Sequence, residues 1–299
     1  MIMQTKNKTA HEIYCDSEYG TLLEVLLCSP RHMKIRDVIN ETQKHYASEN
    51  IDADIACRQH DHLLQVLQSR GIKTHLLEAK PELPEQVFTR DIGFAIHDKL
   101  FMAKLKQEIR QGEREMFKHW LQKNDIKAIE LANDIEGGDV IVDGLDVWIG
   151  VGDRTSSSAA AELQSLLPGC RIYEVKFDPS YLHLDCVFQP ISSEEALLFP
   201  SAFPPEAKDL LYSKYKPIEV DREEQFTLGT NVLSIGKRTV ISMPNNEKVN
   251  SKLRQKGYHV IEVELSEIMK SGGAFRCITL PLKRKAASGL LPQQVETRP

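Results

Sequence analysis

The sequence predicts an α/β protein in which five units of two strands, a helix and a further strand stand around one axis. Two observations carry this prediction. The same order of apolar strand and helix patterns recurs along the chain, and polar residues that open a strand recur at nearly constant spacing. Asp91 and Asp139 are 48 residues apart, and the next three intervals, to Asp185, Asn231 and Cys277, are 46 residues each.

The elements follow one another in a regular order. The first unit has a strand over residues 21–30, a helix over 54–70 that Gly71 terminates, and a strand over 72–77. Each of the other four units begins with a pair of strands and continues with a helix and a returning strand. The predicted helices of these units cover residues 112–123, 156–167, 205–213 and 246–256.

Closure of the ring follows from the two ends of the repeat region. The opening strand and the final apolar segment, residues 278–282, together supply the fifth unit. Equivalent positions of all units then face the same central place, so three carboxylates, an amide and a thiol should converge there. The competing interpretation is that polar residues merely precede strands as caps and turns. Four nearly equal spacings favour the repeat.

Composition excludes several classes of protein. The net charge is -5 and the pI is near 6.1, which gives no basic surface for nucleic acid or an anionic membrane. The six cysteines form no C-x-x-C pair, which argues against a zinc ribbon or a disulfide framework. The first residues lack the apolar core of a signal peptide, and no apolar run approaches the roughly 20 residues of a membrane span.

These features predict a protein of the reducing cytoplasm, with neither nucleic acid nor membrane as partner. The oligomeric state stays open, and a homo-oligomer is compatible with the sequence. No linker or low-complexity segment divides the chain, so we expect one catalytic domain over residues 1–299. Within it, residues 1–18 and 283–299 are expected to be loosely ordered.

Four short motifs contain the residues suited to chemistry, and each of them alone is a weak signal. A single histidine, a cysteine before a strand or a glycine pair is usually structural. Together and in this order they resemble the guanidine-modifying superfamily of arginine deiminases, dimethylarginine dimethylaminohydrolases and amidinotransferases. The resemblance runs from about residue 20 to 281 and implies a five-bladed α/β propeller, the pentein fold. The motifs are Phe88-Thr89-Arg90-Asp91, Glu136-Gly137-Gly138-Asp139, His183-Leu184-Asp185 and Gly272-Gly273-Ala274-Phe275-Arg276-Cys277.

The residue types suit a guanidinium substrate. A guanidinium is a planar cation rich in donors, and carboxylates are its matched partners, so Asp91 and Asp185 are candidates to hold it. Cys277 is the candidate nucleophile, and His183 can protonate the leaving amine and then activate water. The resemblance implies that Glu136 pairs with His183. No metal or cofactor is expected, since the substrate brings its own positive charge.

The remaining candidates concern the rest of the substrate. The segment GVGDRTS resembles the family's G-x-G-x-R-T-S, whose arginine contacts an amino-acid carboxylate, and this implies such a role for Arg154. Arg110 is a candidate for a second contact, although a solvated helix face is an equal alternative. Phe88 either walls the guanidinium plane or fills the core. Asp139 and Asn231 join the predicted substrate-binding set because they share the repeat position.

The first hypothesis is a hydrolase that cleaves a guanidino C–N bond of arginine or a methylated arginine. It passes through a covalent thiouronium on Cys277 and gives citrulline plus ammonia or an amine. The runner-up is an amidinotransferase, in which an amine intercepts the same intermediate. Asp185, two residues after His183, is typical of arginine deiminases and amidinotransferases, whereas the compact length is closer to that of the dimethylarginine hydrolases.

Two hypotheses from other classes explain fewer residues. A non-catalytic propeller that only binds a partner would not need the acidic residues, histidine and thiol at the axis. A papain-like protease would carry its nucleophile at a helix start near the N-terminus, whereas Cys277 precedes a strand near the C-terminus. The other five cysteines are interpreted as structural. Cys186 adjoins Asp185, but strand alternation predicts that its side chain turns to the opposite face.

Overall fold

The computed structural model describes residues 12–285, which form five three-stranded sheets with connecting helices. The strands are β1 Thr21–Cys28, β2 Lys73–Leu77, β3 Gly93–Ile96, β4 Lys99–Met102, β5 Ile129–Glu130, β6 Val140–Asp143, β7 Asp146–Val151, β8 Arg171–Lys176, β9 Phe188–Pro190, β10 Glu195–Leu198, β11 Lys216–Glu219, β12 Leu233–Gly236, β13 Thr239–Ser242, β14 His259–Glu262 and β15 Leu280–Lys285. The helices are α1 Glu41–Tyr46, α2 Ala53–Ser69, α3 Gln111–Lys123, α4 Ser157–Leu166, α5 Pro205–Lys214, α6 Arg222–Phe226, α7 Glu247–Gln255 and α8 Ser266–Met269.

Every sheet has the same internal pattern. Its middle strand pairs antiparallel with one neighbour and parallel with the other, as when β7 pairs with β6 (Val140 opposite Ile149) and with β8 (Trp148 opposite Tyr173). A parallel pair needs a long crossover, and one helix (α2, α3, α4, α5 or α7) supplies it in each unit. The predicted strand–strand–helix–strand unit and the mixed α/β class are therefore confirmed.

The two ends of the repeat region share a sheet. Strand β15 pairs antiparallel with β1, where Val25 lies opposite Pro281, and β1 pairs parallel with β2. The first unit thus takes one strand from the C-terminal part of the chain and two from the N-terminal part. The prediction that the opening and final strands complete one unit is confirmed.

Three short helices escaped prediction. The helices α1, α6 and α8 have four to six residues each, too few to show a helical period in the sequence. Side-chain caps define two of them: Asn40 accepts a hydrogen bond from the backbone of Gln43, and Asp221 accepts one from Glu224. Among residues 12–285, no helix combines the length and apolarity that a bilayer crossing requires.

The largest apolar cluster joins four of the five sheets. It contains fully buried residues such as Leu27 on β1, Ile141 on β6, Leu198 on β10 and Ile241 on β13. A second cluster joins the first sheet to the sheet of β3, β4 and β5, for example through Leu26. Because each small sheet buries its apolar face against its neighbours, the strand ends that carry the polar motifs are held in fixed positions.

The expectation of loose ends is wrong for residues 12–18 and 283–285. Glu18 is buried and pairs with Arg276 at 3.1 Å, and Cys15 exchanges backbone hydrogen bonds with His97. Arg284 is also buried within β15. The polar composition of these segments suggested disorder. The partners that bury them are distant in sequence, so no local pattern revealed them. The rest of the two segments, residues 1–11 and 286–299, lies outside the described residues.

Candidate active site

The repeat-position residues stand one to three positions before the first strand of their units, and the structure brings them together. The side-chain amide of Asn231 donates to Cys277 Sγ at 3.2 Å and to the backbone carbonyl of Asp185 at 3.3 Å. Asp91 lies 3.7 Å from His183, and Asp139 accepts a hydrogen bond from the backbone N–H of Leu184, so both contact the residues just before Asp185. The predicted convergence of three carboxylates, an amide and a thiol is thus present, although only some of these groups face a cavity.

Cys277 is buried in a polar environment. Its sulfur lies 3.6 Å from Asp185 Oδ2, and its backbone N–H donates to Asn231 Oδ1 at 3.3 Å. A hydrogen bond with the Cys186 thiol, burial and the Asp185 carboxylate raise the pKa of Cys277 well above its ordinary range. The resting side chain is therefore a neutral thiol, and a cation placed beside it would favour the thiolate.

His183 and Glu136 form a fully buried pair. Nε2 of His183 lies 2.7 Å from Oε2 of Glu136, and Nδ1 lies 3.7 Å from Oδ1 of Asp91. Burial opposes protonation of His183, but the carboxylates of Asp91, Asp139 and Glu136 outweigh it and raise the pKa of the imidazole. Burial also opposes ionisation of Glu136, and the imidazole outweighs it and lowers the pKa of that carboxyl. The pair therefore holds an imidazolium and a carboxylate.

Two glycines of the motifs are required by close contacts. A Cβ on Gly138 would lie 2.6 Å from His183 Nδ1 and 3.0 Å from Asp91 Oδ1. A Cβ on Gly273 would overlap the ring of Phe88 and lie 2.9 Å from Cβ of Cys277. In both motifs the glycine backbone lies so close to a residue of the site that a side chain at the glycine would collide with it.

Asp91 is held from one side by Arg110. Its Oδ2 accepts from Arg110 Nη1 at 2.7 Å, and the rest of that guanidinium forms a two-bond pair with Glu113. All three side chains are buried, so the interpretation of Arg110 as a solvated helix residue is wrong. Asp91 Oδ1 has no hydrogen-bond partner among the described residues. This oxygen is therefore available to a donor that enters the site.

Asp185 is held in a similar way by Arg276. Its Oδ2 accepts from Arg276 Nη1 at 2.7 Å, and the same guanidinium pairs with Glu18. Arg276 precedes Cys277 in the motif, but its role was not predicted, because its partner Glu18 was expected in a loose segment. The carboxylates of Asp91 and Asp185 thus each have one arginine that fixes their orientation.

A small cavity of about 10 Å³ lies beside the thiol, roughly the space of one water molecule. Six of the predicted residues line it: Phe88, Asp91, Arg110, Arg154, His183 and Cys277. Of the others, Glu136 and Asp185 lie directly behind His183 and Cys277. The lining therefore combines a thiol, an imidazole, a carboxylate and two guanidinium groups around one space.

A cover segment, residues 39–43, lies against the cavity and contributes Ile39 and Asn40 to its lining. Arg154 is buried under it and donates to the backbone carbonyl of Ile39 at 2.7 Å, while its other amino group lies 3.4 Å from Glu136. Asn40 donates to the carbonyl of Ser271 at 3.0 Å. A cavity of about 10 Å³ is too small for arginine, so part of its lining must move when such a substrate enters.

Asp139 and Asn231 do not line the cavity, contrary to the expected substrate contact. Both carboxylate oxygens of Asp139 are used within the protein: one accepts from Thr155 Oγ1 at 2.6 Å, the other from the backbone N–H of Leu184 at 2.8 Å. Asn231 is occupied by Cys277 and its neighbours. All five residues share the repeat position, but two of them bind backbone groups: Asp139 holds the backbone next to His183, and Asn231 holds the backbone at Cys277.

Glu85 lines the cavity and was missed. It accepts from Gln43 Nε2 at 2.9 Å and from Ser271 Oγ at 2.9 Å, so it ties the cover segment to the loop before the nucleophile. Burial raises its pKa from 4.5 to about 7. Its position three residues before Phe88 was visible in the sequence, but nothing there signalled that this carboxyl is buried.

The prediction that Cys186 turns away from the site is wrong. Residues Leu184–Cys186 form a 3₁₀ turn, so strand alternation does not apply to them. The Cys186 thiol lies 3.6 Å from Oδ1 of Asp185.

A group able to bind a metal is present geometrically. Ligand atoms of Asp91, Glu136 and His183 lie within 4.8 Å of one another. The nearest atoms of Glu136 and His183 are already bonded to each other, and the Arg110 guanidinium lies 4.0 Å from Glu136. A metal cation bound here would break the hydrogen bond between His183 and Glu136, and the positive charge of Arg110 would repel it. The arrangement therefore suits an imidazolium better than a metal ion.

Comparison with known proteins gives consistent matches. A family model described as N,N dimethylarginine dimethylhydrolase, eukaryotic, matches residues 29–284. The uncharacterized protein YkgA of Bacillus subtilis is 50% identical over 278 residues, which cover 93% of this chain and 97% of that protein. An N(G),N(G)-dimethylarginine dimethylaminohydrolase of Mycobacterium tuberculosis is 29% identical over 235 residues, or 78% of this chain and 77% of that protein.

A solved structure of an arginine dihydrolase is similar to this chain in its fold. The N-terminal domain of ArgZ, an arginine dihydrolase from the ornithine-ammonia cycle in cyanobacteria, superimposes with a TM-score of 0.81 at 25% identity. The match covers 88% of this chain and 98% of that chain. The two chains therefore share their fold over most of their length.

Proposed function

The chain belongs to the N,N-dimethylarginine dimethylhydrolase family, and from this membership we propose that it is a hydrolase that breaks a guanidino C–N bond of an arginine-type substrate. The resemblance to guanidine-modifying enzymes that the motifs predicted is confirmed by the family match. One observation carries the proposal most directly: Cys277, Asp91 and His183 line one buried cavity, with Asp185 and Glu136 directly behind.

Recognition of the guanidinium is the first step. Its N–H groups donate to the free Oδ1 of Asp91 and to the carboxylate of Asp185, whose other oxygens arginines already hold. The positive charge of the substrate beside Cys277 lowers the pKa of the thiol, which then loses its proton to solvent. The substrate thus activates the nucleophile that attacks it, and an empty site keeps an unreactive thiol.

Bond cleavage is the second step. The thiolate of Cys277 bonds to the central guanidino carbon and forms a tetrahedral adduct. The imidazolium of His183 gives its proton to one nitrogen, the C–N bond breaks, and ammonia or an amine leaves. What remains on the sulfur is a thiouronium, with Glu136 still beside the now neutral imidazole.

Hydrolysis is the third step. The neutral imidazole of His183 takes a proton from water, and the oxygen bonds to the same carbon while the C–S bond breaks. The product is a ureide, citrulline if the substrate is arginine, and one proton returns to solvent. The imidazolium is restored, and once the product leaves, the thiolate takes a proton from solvent and becomes the neutral thiol again, so the cycle balances without a cofactor.

We propose arginine as the preferred substrate over asymmetric dimethylarginine. Carboxylates lie on both sides of the cavity, Asp91 on one and Asp185 next to the sulfur on the other. Two methyl groups on one nitrogen remove the N–H donors that one of these carboxylates needs, and leave it buried and unpaired. Arg154 and Glu85 are suited to the carboxylate and ammonium groups of the amino-acid part, since both lie under the cover segment.

The architecture that supports this site is also part of the proposal. We propose that the five sheets stand as blades of a propeller and that the chain acts as one catalytic domain. The pairing of β1 with β15 and the contacts among Asp185, Asn231 and Cys277 support this arrangement, since they bring distant units to one place.

The deciding experiment is a citrulline assay with arginine and with asymmetric dimethylarginine, on the wild type and on Cys277→Ser. We expect citrulline from arginine at a higher kcat/KM than from the methylated substrate, and none from the variant. Equal activity of the variant would overturn the nucleophile. If the wild type forms citrulline only when no amine acceptor is added, and an amidino-acceptor product otherwise, the transferase hypothesis replaces the hydrolase.

A further inference from the structure

Cys186 and Cys277 approach the same carboxylate from two different units of the fold. The Cys186 sulfur lies 3.6 Å from Asp185 Oδ1, and the Cys277 sulfur lies 3.8 Å from that same oxygen and 3.6 Å from Oδ2. Both side chains are buried, with 3% and 2% of their surface exposed. The two sulfurs are therefore held as neighbours by a shared partner, although 91 residues separate them in the chain.

A second cavity reaches Cys186 from outside the site. It has a volume of about 270 Å³, and its lining includes Cys186, Tyr181 and Arg222. Asn40, Leu182 and Gly272 line both this cavity and the small one beside Cys277. Cys186 thus stands where the larger cavity meets the wall of the active site, and this cavity has room for a small polar molecule.

From this arrangement we propose that Cys186 is a redox modification site, which forms a disulfide with Cys277 when a small hydroperoxide enters the second cavity. The proposal takes from the proposed function only the role of Cys277 as nucleophile. The disulfide removes the attacking thiol and so switches the enzyme off, and reduction by a dithiol restores it.

The reaction balances in two steps. Sulfur of Cys186 bonds to one oxygen of hydrogen peroxide, the O–O bond breaks, and a water molecule leaves behind a sulfenic acid. Sulfur of Cys277 then displaces the hydroxyl group as a second water, so that the S–S bond forms and the S–O bond breaks. Two thiols lose two electrons and the peroxide gains them.

The presence of two neighbouring thiols also keeps the oxidation reversible. Sulfenic acid on an isolated cysteine is oxidised further to sulfinic acid, which dithiols do not reduce. With a second thiol beside the same carboxylate, disulfide formation competes with that irreversible step. The other cysteines have different contacts in the described structure; Cys57, for instance, lies half-exposed on α2 with its sulfur 4.0 Å from Ser29 Oγ.

The test compares the wild type, Cys186→Ser and the matched control Cys57→Ser after exposure to hydrogen peroxide. Free thiols are blocked with N-ethylmaleimide, and peptides are analysed by mass spectrometry without reduction. We expect a linked peptide pair containing Cys186 and Cys277, two hydrogens lighter than the sum, in the wild type and in Cys57→Ser. Peroxide should abolish the citrulline activity of these two proteins and dithiothreitol should restore it, whereas Cys186→Ser lacks the sulfur that peroxide attacks first and should keep most of its activity and form no linked pair.

Two outcomes would overturn the proposal. One is sulfinic acid on Cys277 of the wild type without any linked pair. The other is a loss of activity to peroxide and a recovery by dithiothreitol in Cys186→Ser that both equal those of the wild type, each activity being scaled to the same protein before oxidation. The peptide measurement needs no activity. A linked pair in a protein that makes no citrulline would therefore keep the modification site and reject the proposed function.

Discussion

Nε2 of His183 lies 2.7 Å from Oε2 of Glu136, with both side chains fully buried. Neither charge would be stable alone at such a place, because burial penalises both. Together they store an imidazolium beside the cavity, ready to protonate a leaving amine. The account of catalysis depends on this relationship, since the resting thiol itself is neutral.

Glu136→Gln should remove most of that stored charge. The pKa of His183 falls when its carboxylate partner is lost, so the imidazolium is lost at a lower pH as pH rises. We expect kcat to fall by about 100-fold and its alkaline limb to move to lower pH. The measurement is a pH profile of kcat for citrulline formation. Glu130→Gln is the control, because Glu130 pairs with lysine and arginine at the surface; an unmoved alkaline limb in Glu136→Gln would contradict the assignment.

Gly138→Ala should damage the site and leave the fold intact. The added methyl group would lie 2.6 Å from His183 Nδ1 and 3.0 Å from Asp91 Oδ1, so the imidazole must shift. We expect a loss of kcat of about 100-fold, since small displacements of catalytic groups are costly. Gly169→Ala is the matched control, because its methyl group would meet no atom within 4 Å. Equal kcat values for the two variants would refute the required close approach.

Glu85→Gln should change how stability depends on pH. Burial raises the pKa of Glu85 from 4.5 to about 7, so the folded protein favours the protonated form. The protonated carboxyl stabilises the folded state fully below the ordinary pKa of 4.5, and this stabilisation is lost as pH rises through about 7. The variant has no such loss, so its stability relative to the wild type should rise by on the order of 3 kcal/mol between about pH 4 and 9. Urea unfolding at several pH values measures this difference, and a constant difference would contradict it.

Glu18→Gln should destabilise the fold strongly. The wild-type carboxylate is buried against Arg276, and although burial opposes its ionisation, the Arg276 and Arg90 guanidinium groups lower its pKa to about 2. Its contribution is present above the ordinary pKa and lost as pH falls towards 2. Removing it leaves a buried guanidinium less neutralised, which typically costs about 3 kcal/mol.

Chemical unfolding at neutral pH tests the Glu18 prediction. The control is Glu12→Gln, since Glu12 pairs with Lys283 at the exposed surface and should change stability by less than about 1 kcal/mol. Similar free energies of unfolding for the two variants would show that residues 12–18 contribute little. In that case the original expectation of a loose N-terminal segment would describe the energetics after all.

The sequence predicted what repetition determines. Asp185, Asn231 and Cys277 meet because they occupy the same position in successive units, and constant spacing made this visible. The five longer helices were also predicted, since each has enough turns to show its apolar face. The apolar pattern of a helix is visible within a short window, and the repeat is visible from spacings along one chain, so a single sequence is sufficient to detect both.

The sequence did not predict what distant partners determine. The burial of Glu18 follows from Arg276, a residue 258 positions away, and that of Arg110 from Asp91, which belongs to another part of its unit. No local pattern distinguishes such charged residues from solvated ones. Cys186 was misplaced for a local reason, because a 3₁₀ turn replaces the strand that alternation assumed.

The central claim is that Cys277 bonds covalently to a guanidino carbon, and rapid acid quenching tests it most directly. Wild-type protein is mixed with excess arginine, quenched within a few turnovers and digested, and the peptide containing Cys277 is weighed by mass spectrometry. The account predicts a transient adduct on Cys277 with the mass of arginine less ammonia, and its absence in Cys277→Ser. Citrulline formation at full rate, with no adduct at any quenching time and undiminished turnover in Cys277→Ser, would contradict it.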